Sequence, residues 1–240
     1  MLRFALADIP VRVHFSFLLI AVLAPSPRAI DIAAWIVAVF VAVLLHELGH
    51  AVVARHYGAR PVTITLFALG GVTMYPAAAD LTPGRRFLIS AAGSFVGILT
   101  GGLLGLLWLA GAFDGSAQVV RVAAFSYVWA ALGWGLLNWI PIRPLDGGAM
   151  LTSLLEIVAP RRALTIARAV SAVTGAAAAF VLWRMGFTFG AVFVLFITVV
   201  GMRPDPTAAR SGTSGHRRPE VDDATDRTRT DRPDPPSFPI

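Results

Sequence analysis

Residues 32–50 read I-A-A-W-I-V-A-V-F-V-A-V-L-L-H-E-L-G-H. An uncharged apolar run, Ile32 to Leu45, leads straight into His46-Glu47-Leu48-Gly49-His50. On a helix, residues four apart share a face, so His46 and His50 present two imidazoles together, with Glu47 one step round. Two such histidines can bind Zn²⁺, and the glutamate beside them can serve as general base for metal-assisted hydrolysis. The stretch Ile32–Ala54 is long enough to cross a bilayer at about 20 residues per span. Ionisable groups inside such a span are expensive and mark a functional site.

The rest of the chain agrees with a membrane setting. Of 240 residues, 56% are hydrophobic and 14% charged, with a mean hydropathy of +0.71. Soluble domains are closer to a quarter charged. There is no cysteine, which excludes a disulfide framework and thiolate-bound zinc. The formal charge of +6 does not signal nucleic-acid binding. It arises from arginines in short loops between apolar runs, and no lysine occurs. Arginine-only basic residues with abundant Ala, Val and Gly point to a GC-rich bacterial source.

Six apolar runs are candidate spans: Val13–Ala24, Ile32–Ala54, Phe87–Phe113, Val122–Ile142, Ala163–Trp183 and Met185–Met202. The first has the length of a signal-peptide core, but Pro25 follows Ala24 where cleavage would fall, so it reads as a retained span. These runs predict an all-α integral membrane protein of about six spans. With the N-terminus inside, the cytoplasmic segments hold Arg3, Arg12, Arg55, Arg60, Arg85, Arg86, Arg143, Arg161, Arg162 and Arg168. The outer loops hold Arg28, Arg121 and Arg184. This asymmetry predicts a multi-pass cell-membrane protein with both termini cytoplasmic, and the histidines toward the cytoplasmic end of their span.

Between the second and third spans, Val62–Tyr75 alternates β-branched and aromatic residues with polar ones around a Gly70-Gly71 turn signal. It predicts a small β-hairpin lying against the helices, with an amphipathic loop as the alternative. Gly93, Gly97, Gly101 and Gly105 form a four-residue stripe on the third span, which predicts close helix packing. Residues 1–202 form the membrane core. Residues 203–240, rich in Pro, Asp, Arg, Ser and Thr, predict a disordered polar cytoplasmic tail.

Hydrolytic zinc takes three protein ligands and keeps one position open. After His46 and His50, the candidates for the third are His14, His56, Asp146 and Glu156. Asp146 is favoured. It follows the broken segment Asn138-Trp-Ile-Pro141-Ile-Arg-Pro144-Leu, and two glycines come after it. Non-helical backbone is tolerated in a membrane where it lines a cavity. His14 and His56 read as interfacial residues, and Glu156 as part of an amphipathic segment with Arg161 and Arg162.

Together, H-E-L-G-H at 46–50 and N-x-x-P-x-x-P-L-D-G-G at 138–148 resemble the site-2 protease family of intramembrane zinc metalloproteases. V-H-x-x-F-L-L at 13–19 and L-F-A-L-G-G at 66–71 are also similar, and the resemblance covers roughly residues 10–202. It is to the six-span branch, without CBS or PDZ domains. The resemblance implies one Zn²⁺ per chain on His46, His50 and Asp146, and Glu47 as general base and later proton donor. It implies that Asn138 holds the substrate strand or the oxyanion. The exposed edge of the hairpin, at Gly70 and Gly71, would hold an unwound substrate by strand addition. The implied partners are the lipid bilayer, a membrane-anchored protein substrate such as an anti-sigma or pro-sigma factor, and a regulatory membrane protein. One departure stands out: where the family has A-G-P-x-x-N, this chain has Ala92-Gly93-Ser94-Phe95-Val96-Gly97.

A non-catalytic metal-binding protein or transporter is the competing reading. It needs ligands but no base, and the chain keeps Glu47. A CAAX-type membrane protease is the third, and L-D-G-G after a proline-broken span argues against it.

Overall fold

The computed structural model describes residues 1–76 and 81–203. The order is β1 (Leu2–Leu6), β2 (Ile9–Val13), a 3₁₀ helix (Phe15–Leu23), α1 (Ala29–His56), β3 (Thr63–Phe67) and β4 (Gly70–Met74). Next come α2 (Pro83–Leu109), α3 (Gln118–Val128), a π-turn (Trp129–Gly133), α4 (Trp134–Leu137), α5 (Asp146–Val158), α6 (Ala163–Arg184) and α7 (Thr188–Gly201). The expected tail lies outside the described residues beyond Arg203.

Among the described residues, four helical stretches are long and apolar enough to cross a membrane: Ala29–His56, Pro83–Leu109, Gln118–Leu137 through the π-turn, and Ala163–Arg184. They correspond to the second to fifth predicted spans. The last predicted span becomes the shorter α7, of 14 residues. The first takes another form. Val13 ends a strand, and Phe15–Leu23 is a nine-residue 3₁₀ helix. At about 2 Å rise per residue it covers roughly 18 Å, well short of a bilayer core of about 30 Å. His14 caps its start, its Nδ1 accepting from Ser16 N–H at 3.1 Å. Pro25 and Pro27 prevent its continuation. It runs against α1, where Trp35 Nε1 donates to the Ile20 carbonyl at 2.8 Å and Phe17 meets Phe40 edge-on.

The predicted hairpin is present, but it belongs to a larger sheet. Four strands lie in the order β1-β2-β3-β4. β1 and β2 form an N-terminal hairpin about Ala7-Asp8, both with positive φ. β2 and β3 pair in parallel, so the 3₁₀ helix and α1 form the crossover between them. Pro10 precedes the first parallel pair, Val11 with Ile64, so its missing N–H costs that ladder nothing. Ile9, Val11, Ile64 and Leu66 are buried on one face, in a core shared with Ala51 and Ala54 of α1. Small residues there let the sheet approach the helix closely. Arg55 of α1 donates to the Ala7 carbonyl, tying the first hairpin to the C-terminal end of the same helix.

The glycine stripe on α2 is a contact surface on two sides. A Cβ at Gly93 would enter the His50 ring, and one at Gly97 would lie 2.8 Å from the Ala131 carbonyl. From the other side, a Cβ on Gly49 would lie 2.8 Å from the Ala92 carbonyl. The α1–α2 backbones therefore meet at the height of the H-E-L-G-H segment. α5 packs on the same helix.

Candidate metal centre

Three side chains converge where α1, α2 and the N-terminus of α5 meet. His46 Nε2 and His50 Nε2 are 3.2 Å apart. Asp146 Oδ2 lies 3.3 Å from the first, and Asp146 Oδ1 lies 3.4 Å from the second. Donors sharing a tetrahedral Zn²⁺ at about 2.0–2.1 Å stand roughly 3.3–3.4 Å apart. The donor spacing, the two imidazoles and the single carboxylate therefore fit zinc. Among the described residues, this is the group of three His, Cys, Asp or Glu side chains able to share an ion.

The groups behind the donors set their orientation. His50 Nδ1 lies 2.7 Å from the Ile89 carbonyl on α2. That carbonyl can only accept, so Nδ1 carries the hydrogen and Nε2 keeps its lone pair for a metal. Ser94 Oγ donates to Asp146 Oδ2 at 2.8 Å, and Ser94 is fully buried. Asp146 reaches the helical pair because the chain breaks after α4. Ile142 and Leu145 close tight turns, and Gly147 N–H returns to the Asn138 carbonyl at 2.5 Å. That contact brings Asn138 next to the loop that carries Asp146, with the Asn138 side chain buried.

Glu47 is buried at 4% relative exposure and sits under β4. The sheet register explains this. Ile64 pairs with Thr73 and Leu66 with Gly71, so Thr73 and Gly71 share the buried face, while Val72 and Met74 are exposed on the other. Thr73 Oγ1 donates to Glu47 Oε2 at 2.7 Å. A Cβ on Gly71 would lie 2.5 Å from Glu47 Cγ, so only glycine fits at that position.

The structure thus joins His46, Glu47, His50 and Asp146, with Gly71 and Asn138 adjacent. Gly70, with φ 124°, serves the hairpin turn. The other candidate ligands lie elsewhere. His14 caps the 3₁₀ helix, His56 stacks edge-on against Tyr57, and Glu156 pairs with Arg86. Sequence reading missed Thr73 and Ser94. Thr73 could have been found from the hairpin register, whereas Ser94 carries no local signal.

The chain is similar to several known proteins. The profile of peptidase family M50 matches residues 34–113. A zinc metalloprotease of Methanocaldococcus jannaschii is 32% identical over 162 residues, which is 64% of this chain and 44% of the relative. Rip3 of Mycobacterium tuberculosis is 36% identical over 112 residues, covering 47% of this chain and 28% of that one. The chain thus spans less than half the length of these curated relatives. Among solved structures, the site-2 protease from Methanocaldococcus jannaschii superposes with a TM-score of 0.57 at 25% identity, covering 85% of this chain and 96% of that one.

Proposed function

We propose that this chain, which belongs to peptidase family M50 with the site-2 proteases, is a zinc-dependent endopeptidase that cuts membrane-anchored protein substrates within the bilayer. One observation carries the reading. His46, His50 and Asp146 come together at metal-sharing distances, with the buried carboxylate of Glu47 on the same stretch of α1 as the two histidines.

His46, His50 and Asp146 would hold Zn²⁺, which when bound supplies Lewis acidity to polarise a carbonyl and acidify a water. The chain's own groups do the rest. Glu47 takes a proton from the attacking water and returns it to the leaving amine, so one carboxylate serves as base and then acid. Thr73 holds that carboxylate in place. Ile89 and Ser94 hold the ligands. Asn138, beside the ligand loop, grips the substrate backbone or the developing oxyanion. A scissile segment must be extended, and the free edge of β4 at Gly71 offers it main-chain pairing, whereas Gly70 is paired with Phe67 across the hairpin.

The arginine distribution supports placing both termini and the β-sheet on the cytoplasmic side of a bacterial cell membrane. Products would then leave toward the cytoplasm. A metal transporter would use the same three ligands, and Glu47 separates the two readings. Co-expression with single-span membrane proteins, comparing fragments between wild type and Glu47→Gln, tests the proposal. Fragments seen equally with both would reject it.

A further inference from the structure

The Thr73 hydroxyl lies 2.7 Å from Glu47 Oε2 and 3.0 Å from the Glu47 carbonyl oxygen. It has one hydrogen to give, and the carboxylate is the stronger acceptor. The backbone of the same residue faces another way. Among the described residues β4 ends the sheet, with β3 on one side and no strand on the other. Along an antiparallel ladder, pairs that exchange hydrogen bonds alternate with pairs that do not. The Leu66 carbonyl accepts from His14 N–H at 2.9 Å, so it points toward β2 and away from β4. The Leu66–Gly71 pair is therefore of the non-bonded kind, and so is Ile64–Thr73 two residues along. The N–H and C=O of Gly71 and Thr73 consequently face the free edge, where an incoming strand would pair.

Thr73 thus touches the base with its side chain and the open edge with its peptide groups. From this juxtaposition we infer that Thr73 is a positioning residue for Glu47, and that a substrate strand pairing with β4 completes the orientation of the base. The inference rests on the reading of β4 as the strand that holds the substrate. An edge strand bonded on one side leaves its backbone dihedrals loosely held. Two further main-chain bonds at Thr73 fix them, and with them the direction of the Cα–Cβ bond and the place of the hydroxyl. Base alignment and substrate docking become one event, so binding energy at the edge is spent on orientation at the reacting centre. Gly71 offers the same edge without a side chain, since the Glu47 side chain occupies that space.

The test uses purified full-length protein in detergent and fluorescence-quenched single-span peptides, taking the one cut fastest. Thr73→Val keeps the β-branched shape and removes the hydroxyl. Its kcat should fall about 10- to 100-fold, the range for one lost hydrogen bond to a charged group. KM should stay within about threefold, with zinc still one per chain. Thr73→Ser should restore kcat to near wild type. Should the valine variant lose zinc, serine against cysteine decides: the hydroxyl must retain kcat and the weakly donating thiol must lose it. Wild-type kcat in Thr73→Val, or equal losses in serine and in cysteine, would overturn the coupling. Photo-crosslinking from Val72 in Glu47→Gln separates the underlying reading. Peptide captured there, with kcat indifferent to the hydroxyl, rejects the coupling alone. Absence of capture rejects strand addition, and the coupling with it.

Discussion

Ser94 shows how much of a metal site can lie in a residue with no chemistry of its own. Its hydroxyl spends its hydrogen on Asp146 Oδ2, and its burial leaves water no way to substitute. Groups behind a ligand commonly contribute about 10- to 100-fold to metal affinity. Ser94→Ala should therefore weaken zinc binding by about that factor in competition with a chelator, while leaving Glu47 untouched. Asp146→Ala should weaken it further, and His46→Ala should nearly abolish it. Full zinc retention in Asp146→Ala, by metal analysis of the purified protein, would reject that residue as a ligand. At this scale the three side chains that cluster were legible in the sequence. His46 and His50 declare themselves by helical spacing, and Asp146 by the broken segment before it. Ser94 was not legible, because only the packing of α2 on α5 brings it to a residue 52 positions away.

Among the elements, the hairpin β3–β4 was readable because alternation and a glycine turn are local signals. Its partners were not. β1 and β2 also alternate, in L-R-F-A-L and I-P-V-R-V, but Arg3, Arg12 and Pro10 read as loop chemistry beside an apolar run. The parallel pairing of β2 with β3 is non-local and leaves no trace in either segment. The 3₁₀ helix was read as a regular span because hydropathy registers apolarity and not helix type or length. The element where packing is tightest yields a prediction. Gly71 admits the Glu47 side chain where any other residue would put a Cβ. Gly71→Ala must displace either β4 or the base, so turnover should drop at least about tenfold with zinc content unchanged. Wild-type turnover in that variant would show that β4 is not seated over Glu47 during the proposed reaction.

For the molecule as a whole, the fold bears on which segments share a side of the membrane. The parallel β2–β3 pair and the Arg55–Ala7 contact put the N-terminal hairpin at the same end of α1 as the α1–α2 connection. The charge pattern places these segments together too, although it routes the chain through a span that is a 3₁₀ helix. The native chain has no cysteine, so single cysteines report without background. Ala5→Cys should react with an impermeant maleimide only after the cells are opened, and Ser116→Cys, in the α2–α3 loop, should react in intact cells. Reaction of Ala5→Cys in intact cells would reverse the assigned orientation. Proteolysis remains the central claim, and Glu47 tests it most directly because its amide is nearly isosteric and it lies outside the proposed ligand set. Glu47→Gln should keep one zinc per chain and the wild-type fold. Its cleavage of a single-span peptide should fall by about 10²- to 10⁴-fold, as expected for loss of a general base. Cleavage at the wild-type rate with zinc in place would contradict it.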